Sequence, residues 1–561
     1  MKVAIIGAGA SGLTSLKECL DEGIEAVILE KENHIGGLWK FEEDVGKGGT
    51  VYRSTVINTS KEMMCFSDFP IPENFAPYMH NTSVMKYFDL YAQKFNLYEH
   101  IQFNTYVQQV KPASDYSETG RWDVITKPAD NPTAETTTTT FDGIMVCSGH
   151  HWDSRMPSFK GMDVFKGRQL HSHDYKDYRG HENTRAVVVG IGNSGVDVAS
   201  ELSQHCSQVY LSTRRGAWVF SRLGPGGDPI DVFFNRYLSW LPSSIVENSL
   251  KKALNERFDH AQYGLKAKHK VAAQHPTISD ELPIRIVCGA VKVKDNIACL
   301  HEHDIEFTDG SIEKDIDTVV YCTGYKFGFS FLDSSIVDVK DNQCDLYKYV
   351  FPPHLKHPTL AMVGFVQPVG AIMPIAEMQA RWITRVFNKK CHLPSEAGMM
   401  IDIEKKRNNM AAVYVDSPRH TIQVDFIQFM DEIADLIGCK PSFFSLMLTD
   451  PSLVFKCIFG PCTPPQFRLR GPHAWDGAKN AIRQAKNNID KPTRTRQIED
   501  IPKAKSSKTL RLFLAVVVAS TIYASYKRGG NVKAGICDIG EALASTFNEC
   551  KEFALRSIQY R

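Results

Sequence analysis

The chain has 561 residues, of which 43% are hydrophobic and 23% charged, enough apolar material for a large core and enough length for two or three domains. A formal net charge of +1 at pH 7 lacks the basic excess by which a nucleic-acid-binding protein gathers phosphates, so nucleic acid is not an expected partner. Fourteen cysteines are scattered without a CxxC or any Cys/His ligand spacing, which predicts free thiols in a reducing compartment, no metal site and no dithiol redox centre.

The first predicted strand, residues 3–6, is too short for the apolar core of a secretory signal and runs straight into Gly7-Ala8-Gly9-Ala10-Ser11-Gly12. A segment with helical spacing follows (Leu13, Leu16, Leu20), which completes the strand-turn-helix setting that a dinucleotide-binding GxGxxG requires. The first glycine permits the tight turn, the second lets the backbone approach a pyrophosphate, and the third lets helix pack on strand. The next apolar run, residues 26–29, ends in Glu30, placed to accept a hydrogen bond from a free ribose 2′-hydroxyl. This site therefore fits FAD or NAD. Gly36-Gly37-Leu38-Trp39 comes next, then a helical stretch at 84–95, an exposed Thr-rich hairpin or loop at 136–140 and a buried strand at 144–149.

A second fingerprint, Gly190-Ile191-Gly192-Asn193-Ser194-Gly195, follows the apolar run 186–189 and precedes another helical segment (Val196, Ala199, Leu202). Here the returning strand ends in Thr213-Arg214-Arg215, so cations stand where the acid stood. Arginine matches a phosphate in charge and geometry, and the site fits the 2′-phosphate of NADPH. Two cofactors are thus expected. Residues 220–275 carry helical, aromatic-rich patterns that break the βαβ alternation, a second strand ending in a small residue and a glycine lies at 319–325, and the chain returns to the first domain through 364–382.

Near the end, residues 492–508 are polar, basic and proline-bearing, a linker by composition. Residues 512–526 carry no charge and are bracketed by Lys503, Lys505, Lys508 and Arg511 before and Lys527 and Arg528 after. About 15 apolar residues fall short of the roughly 20 that cross a bilayer core, although flanking cations extend the reach. Membrane lipid is the expected partner of this segment. A possible amphipathic helix occupies the tail, with Ile539, Leu543, Phe547, Cys550 and Ile558 on one face.

The narrower kinship rests on Phe165-Lys166-Gly167-Arg168-Gln169-Leu170-His171-Ser172-His173-Asp174-Tyr175. This stretch resembles the FxGxxxHxxxY fingerprint of the animal flavin-containing monooxygenases and lies, as theirs does, just before the NADPH glycine loop. The likeness extends from Val3 to about Trp475 and includes Asn58-Thr59-Ser60-Lys61-Glu62-Met63, Cys65-Phe66-Ser67-Asp68-Phe69-Pro70, Asp280-Glu281-Leu282-Pro283, Gly364-Phe365-Val366-Gln367 and Phe459-Gly460-Pro461-Cys462.

The resemblance implies an α/β fold of two Rossmann-like dinucleotide-binding domains, for FAD and NADPH, with a helical insertion and a C-terminal membrane-anchoring segment. The first part of the FAD domain would span 1–155, the NADPH domain 156–330 with the insertion at about 220–275, and the FAD-domain completion 331–490. A basic linker (491–511), an anchor (512–526) and a tail (527–561) would follow. The reaction implied is oxygenation of soft nitrogen or sulfur atoms of small molecules by NADPH and O2 through a C4a-hydroperoxyflavin. The alternatives are a Baeyer-Villiger enzyme, whose relatives generally carry Trp where Tyr175 stands, and an NADPH oxidase or reductase without oxygen transfer.

Asn58 is the expected catalytic side chain, since an amide both donates and accepts, with Ile57 and Thr59 beside it. The flavin set comprises Gly7, Ala8, Gly9, Ala10, Ser11, Gly12, Glu30, Gly37, Leu38, Trp39, Ile57, Asn58 and Thr59. The NADPH set comprises Gly190, Gly192, Asn193, Ser194, Gly195, Val196, Asp197 and Arg214, the last at the 2′-phosphate. His171 is assigned to packing between domains. The resemblance also implies an endoplasmic reticulum membrane location with the catalytic domains in the cytosol, and homo-oligomerisation is left open.

Overall fold

The computed structural model describes residues 1–45, 51–131 and 133–496. Ten strands build two parallel sheets. In chain order they are β1 (Lys2–Ile6), β2 (Glu25–Leu29), β3 (Ile101–Gln102), β4 (Gly143–Val146), β5 (Arg168–His171), β6 (Arg185–Val189), β7 (Gln208–Ser212), β8 (Val291–Lys294), β9 (Thr318–Tyr321) and β10 (Leu360–Met362). The first sheet has the order β10-β4-β1-β2-β3 and the second β8-β7-β6-β9-β5, with every pairing parallel. The second sheet is therefore inserted in sequence between β4 and β10 of the first.

Both sheets follow from the continuous Val/Ile-rich runs. A strand apolar on both faces, such as β4 or β9 with all residues buried, is stable only where both faces are covered. On the first sheet the cover includes α1 (Ala10–Asp21) packed against α4 (Ile372–Phe387), a helix buried along nearly its whole length. In the second, α2 (Asn193–Leu202) lies on β6 and β7. The Thr-rich segment is the third strand, Thr137–Phe141, of an antiparallel three-stranded sheet with Thr105–Pro112 and Trp122–Pro128, and the helical stretch at 84–95 lies within Asn81–Lys94. Residues 220–275 contain the helices Arg236–Trp240 and α3 (Ser243–Arg257).

A buried ionic cluster locks α1 to α4. The Arg468 guanidinium reaches Glu18 at 2.7 Å, Glu377 at 2.9 Å and Asp68 at 3.0 Å, while Lys17 pairs with Glu18 at 3.2 Å, Asp21 at 2.7 Å and Asp68. Despite burial, the two cations hold the Glu18 carboxyl down at about 2. Glu18, Asp21 and Asp68 could together hold a metal ion, but Lys17 and Arg468 already neutralise them.

The apolar run at 512–526, the end of the linker and the tail lie outside the described residues. Among the described residues no helix is long and apolar enough to cross a membrane. Cys147 is buried as expected, whereas Cys322 is only partly buried.

Candidate active site

A cleft of about 850 Å³ opens where the first sheet ends, the place where parallel sheets bind their ligands. Gly7 leaves β1 with φ +100°, and a Cβ there would stand 2.9 Å from the Cys147 carbonyl oxygen. A Cβ on Gly12 would fall 1.9 Å from the carbonyl oxygen of Gly7, so only glycine lets α1 seat on the strand end. Gly9 caps α1 without a side-chain hydrogen bond, and no acid occupies the first turn. The amides at this helix end therefore stay free to receive an anion.

Glu30 closes the other side. Its Oε2 accepts from the Ala8 N–H at 2.6 Å and its Oε1 from the Glu32 N–H at 2.9 Å, which leaves acceptor capacity for a ribose hydroxyl. Burial raises its pKa, against those two backbone bonds. A carboxylate here would repel a 2′-phosphate, so the geometry fits FAD and not NADPH. Gly9, Ala10, Ser11, Gly37, Leu38, Trp39, Ile57, Asn58 and Thr59 line the same cleft, joined from the second half by Asn193.

Asn58 is fixed by a residue distant in sequence. Arg222 donates from Nη2 to the Asn58 Oδ1 at 2.7 Å, and Asp280 holds the same guanidinium through Nη1–Oδ2 at 3.0 Å. Asp280 also accepts from the Arg222 N–H at 2.9 Å and the Ser221 hydroxyl at 2.6 Å. Because a guanidinium only donates, the atom facing it must be the amide oxygen. The Nδ2 donors have no partner among the described residues. The Asn58 oxygen thus has one of its two acceptor positions engaged by Arg222. Next to it, the Ser60 N–H donates to Asp231 at 2.6 Å, and burial pushes the Asp231 carboxyl up to about 6.

The second glycine loop repeats the design. Gly190 has φ +110° with a would-be Cβ 2.5 Å from the Cys322 carbonyl oxygen, and a Cβ on Gly195 would lie 2.0 Å from that of Gly190. Gly192 caps α2 with no side-chain bond and no acid in the first turn. Val196 is buried beneath the helix, while Arg214 and Arg215 are exposed just past β7. Two side chains of the NADPH set are engaged inside the protein. Asn193 Oδ1 accepts from the Ile278 N–H at 2.8 Å. Asp197 accepts from the Tyr52 hydroxyl, and burial raises its carboxyl to about 6.

Tyr175, which ends the fingerprint, donates to Glu201 at 2.8 Å and packs against Tyr52. His171 is buried, accepts the His173 N–H at 3.1 Å and is held at about 4 by burial first and His173 second, a packing role. Sequence reasoning missed Arg222, Asp231 and the imidazoles of His150, His151 and His275 that line the cleft. Burial holds His275 down at about 3, with Arg419 adding to it. One signal for Arg222 was present: its partner Asp280 opens the Asp280-Glu281-Leu282-Pro283 motif.

Residues 1–527 match the sequence profile described as flavin-binding monooxygenase-like. Flavin-containing monooxygenase 5 of Rattus norvegicus is 49% identical over 92% of this chain and 99% of its own length. Flavin-containing monooxygenase 2 of Homo sapiens is 45% identical over 92% and 98%. Among solved structures, S-allyl-L-cysteine S-oxygenase from Allium sativum superposes with TM-score 0.61 at 25% identity, covering 87% of this chain and 98% of that one. Cyclohexanone monooxygenase from Rhodococcus sp. Phi1, at TM-score 0.57 and 14% identity over 78% of this chain and 97% of its own, shares the fold. With two glycine loops of opposite ribose chemistry in one chain, and these matches along nearly all of it, the chain belongs to the flavin-binding monooxygenase-like family.

Proposed function

We propose that this chain oxygenates soft nucleophilic nitrogen or sulfur atoms of small molecules, using NADPH and O2, with FAD in the cleft of the first sheet and NADPH on the second glycine loop. The observation that carries the reading is the Asn58 amide, oriented by Arg222, in the same cleft as Gly9, Glu30 and Trp39. When bound, FAD accepts hydride and activates oxygen, the chemistry for which the protein need supply only binding, orientation and electrostatics.

The residues divide that work. The free amides at the starts of α1 and α2 hold the two pyrophosphates, Glu30 accepts the flavin ribose hydroxyl, and Arg214 pairs with the NADPH 2′-phosphate. Asn58 Nδ2 is the donor available at the reacting face. Apolar walls from Met64, Phe329, Phe331 and Ile372 exclude water, which would otherwise divert the reaction to hydrogen peroxide. His150 lines the cleft and burial holds its imidazole well below the ordinary value, so it is neutral at pH 7 and adds no positive charge to the reacting face.

The flavin half comprises 1–155 and 331–490 and the NADPH half 156–330. The uncharged run at 512–526 between basic flanks supports attachment to the endoplasmic reticulum membrane from the cytosolic side. A chain ending near Lys505 should leave the membrane fraction without detergent and keep its activity. Full-length protein found wholly in the cytosol would contradict that attachment. For the activity itself, NADPH consumption with a thioether should yield sulfoxide in near-equal amount. Consumption that is indifferent to the thioether and ends in hydrogen peroxide would count against the reading.

A further inference from the structure

Arg419 is a cation without a counter-ion among the described residues. It lies in the turn that leads to the strand Gln423–Asp425, and that turn is held firmly. Asn342 Nδ2 donates to the Pro418 carbonyl at 3.0 Å, the Arg419 N–H donates to Ser417 Oγ at 3.3 Å, and His420 Nδ1 bonds the Val415 carbonyl at 2.9 Å. From there the side chain crosses to the NADPH half. A Cβ placed on Gly192 would stand 2.7 Å from Nη1, 3.2 Å from Nη2 and 3.3 Å from Cζ of Arg419. The guanidinium lies on the glycine whose missing side chain admits a pyrophosphate.

No described residue balances this charge. Among the described residues the guanidinium makes no ion pair and no hydrogen bond, and burial alone lowers its basicity. The titratable groups that feel it are basic as well: His151, His275 and His420, the last also under the influence of Arg215. A partly buried guanidinium with no carboxylate beside it is costly, and proteins keep such groups where an anion arrives. The uncapped start of α2, free of acids, aims its amides at the same place.

We infer that Arg419 binds the pyrophosphate of the nicotinamide dinucleotide, so that a residue from the flavin half closes the NADPH site. This rests on the reading that NADPH occupies the second glycine loop. Arg419 would then serve NADPH and NADH alike, while Arg214 serves only the coenzyme with a 2′-phosphate.

The test is direct equilibrium titration of the FAD-loaded enzyme with NADP+, NAD+ and adenosine 2′-monophosphate, a probe that lacks the pyrophosphate. Arg419→Gln should weaken NADP+ and NAD+ by similar factors of about tenfold or more and leave adenosine 2′-monophosphate unchanged, with Arg419→Lys in between. Arg214→Ala should weaken NADP+ and adenosine 2′-monophosphate and spare NAD+. Because the Arg419 guanidinium has no partner among the described residues, Arg419→Gln should keep its FAD and its thermal midpoint. Its midpoint should rise less than that of wild type when NADP+ is added. Wild-type NADP+ affinity in Arg419→Gln, with Arg214→Ala weakened, would overturn the role of Arg419 alone. If neither variant moved NADP+ affinity, the coenzyme site itself would be misplaced. A fall in FAD content or midpoint of Arg419→Gln before NADP+ is added would show a structural role and overturn the inference.

Discussion

Arg222 donates to the Asn58 amide oxygen at 2.7 Å while Asp280 holds the same guanidinium at 3.0 Å. The relay fixes which end of the amide faces Arg222. Arg222→Leu should let the amide turn over. FAD content and NADPH oxidation should persist, with coupling to product falling several-fold and hydrogen peroxide rising by the amount of product lost. Arg222→Lys should recover part of the coupling, since an ammonium also only donates. Coupling in Arg222→Leu equal to wild type would remove Asn58 orientation from the account.

Glu30 accepts two backbone N–H groups and keeps capacity for a ribose hydroxyl. Glu30→Leu would leave the Ala8 and Glu32 amides without their acceptor and remove the ribose contact. Charged hydrogen bonds contribute about 1.5 to 3 kcal/mol each, so FAD affinity should drop by about tenfold or more. The check is the Kd for FAD of the deflavinated protein, and an unchanged value would place the flavin ribose elsewhere.

The Arg468 cluster gives a stability prediction. Arg468→Met would leave the buried Glu18 and Glu377 and the half-buried Asp68 with only Lys17 and Arg381 nearby. Breaking a buried pair on one side costs about 3 to 5 kcal/mol. Thermal unfolding should therefore move well down. Since α1 carries the flavin glycine loop, FAD should be lost in the same transition. A midpoint within a degree of wild type would show the cluster to be incidental.

His260 supplies a pH dependence. Its Nε2 accepts the Val219 N–H at 3.0 Å, and Nδ1 bonds Asn255 Oδ1 at 3.0 Å. The imidazole is thereby fixed as neutral, with its pKa lowered to about 4 by burial first and Arg257 second. A histidine depressed in the fold binds its proton more readily when unfolded. Its contribution is full above about 6.5 and is lost as pH falls toward 4. Over that window it amounts to at most about 3 kcal/mol. His260→Gln should make the acid limb of stability shallower between those pH values, measured by urea titration. An identical acid limb would contradict the assignment.

The two glycine loops, Glu30 and the Arg214 position were legible because each is local. A turn that needs positive φ, a strand of fixed length and the residue at its end all lie within about thirty positions of one another. Long-range partners were not legible. Arg222 meets Asn58 across 164 positions and Arg468 meets Glu18 across 450, and no period or spacing encodes such a meeting. The fingerprint also speaks for backbone more than for side chains. Asn193 and Asp197 sit where it placed them, yet their side chains are bonded to Ile278 and Tyr52. The run at 364–382 reads as the return to the flavin half. The strand that joins the first sheet, Leu360–Met362, lies just before it and is too short to stand out from its apolar neighbours.

The most direct measurement is the fate of oxygen. Enzyme, NADPH and a thioether under 18O2 should give sulfoxide carrying one 18O atom, in near-equal amount to the NADPH consumed. Sulfoxide without the label, or NADPH consumed with only labelled hydrogen peroxide formed, would contradict oxygen transfer at the Asn58 cleft.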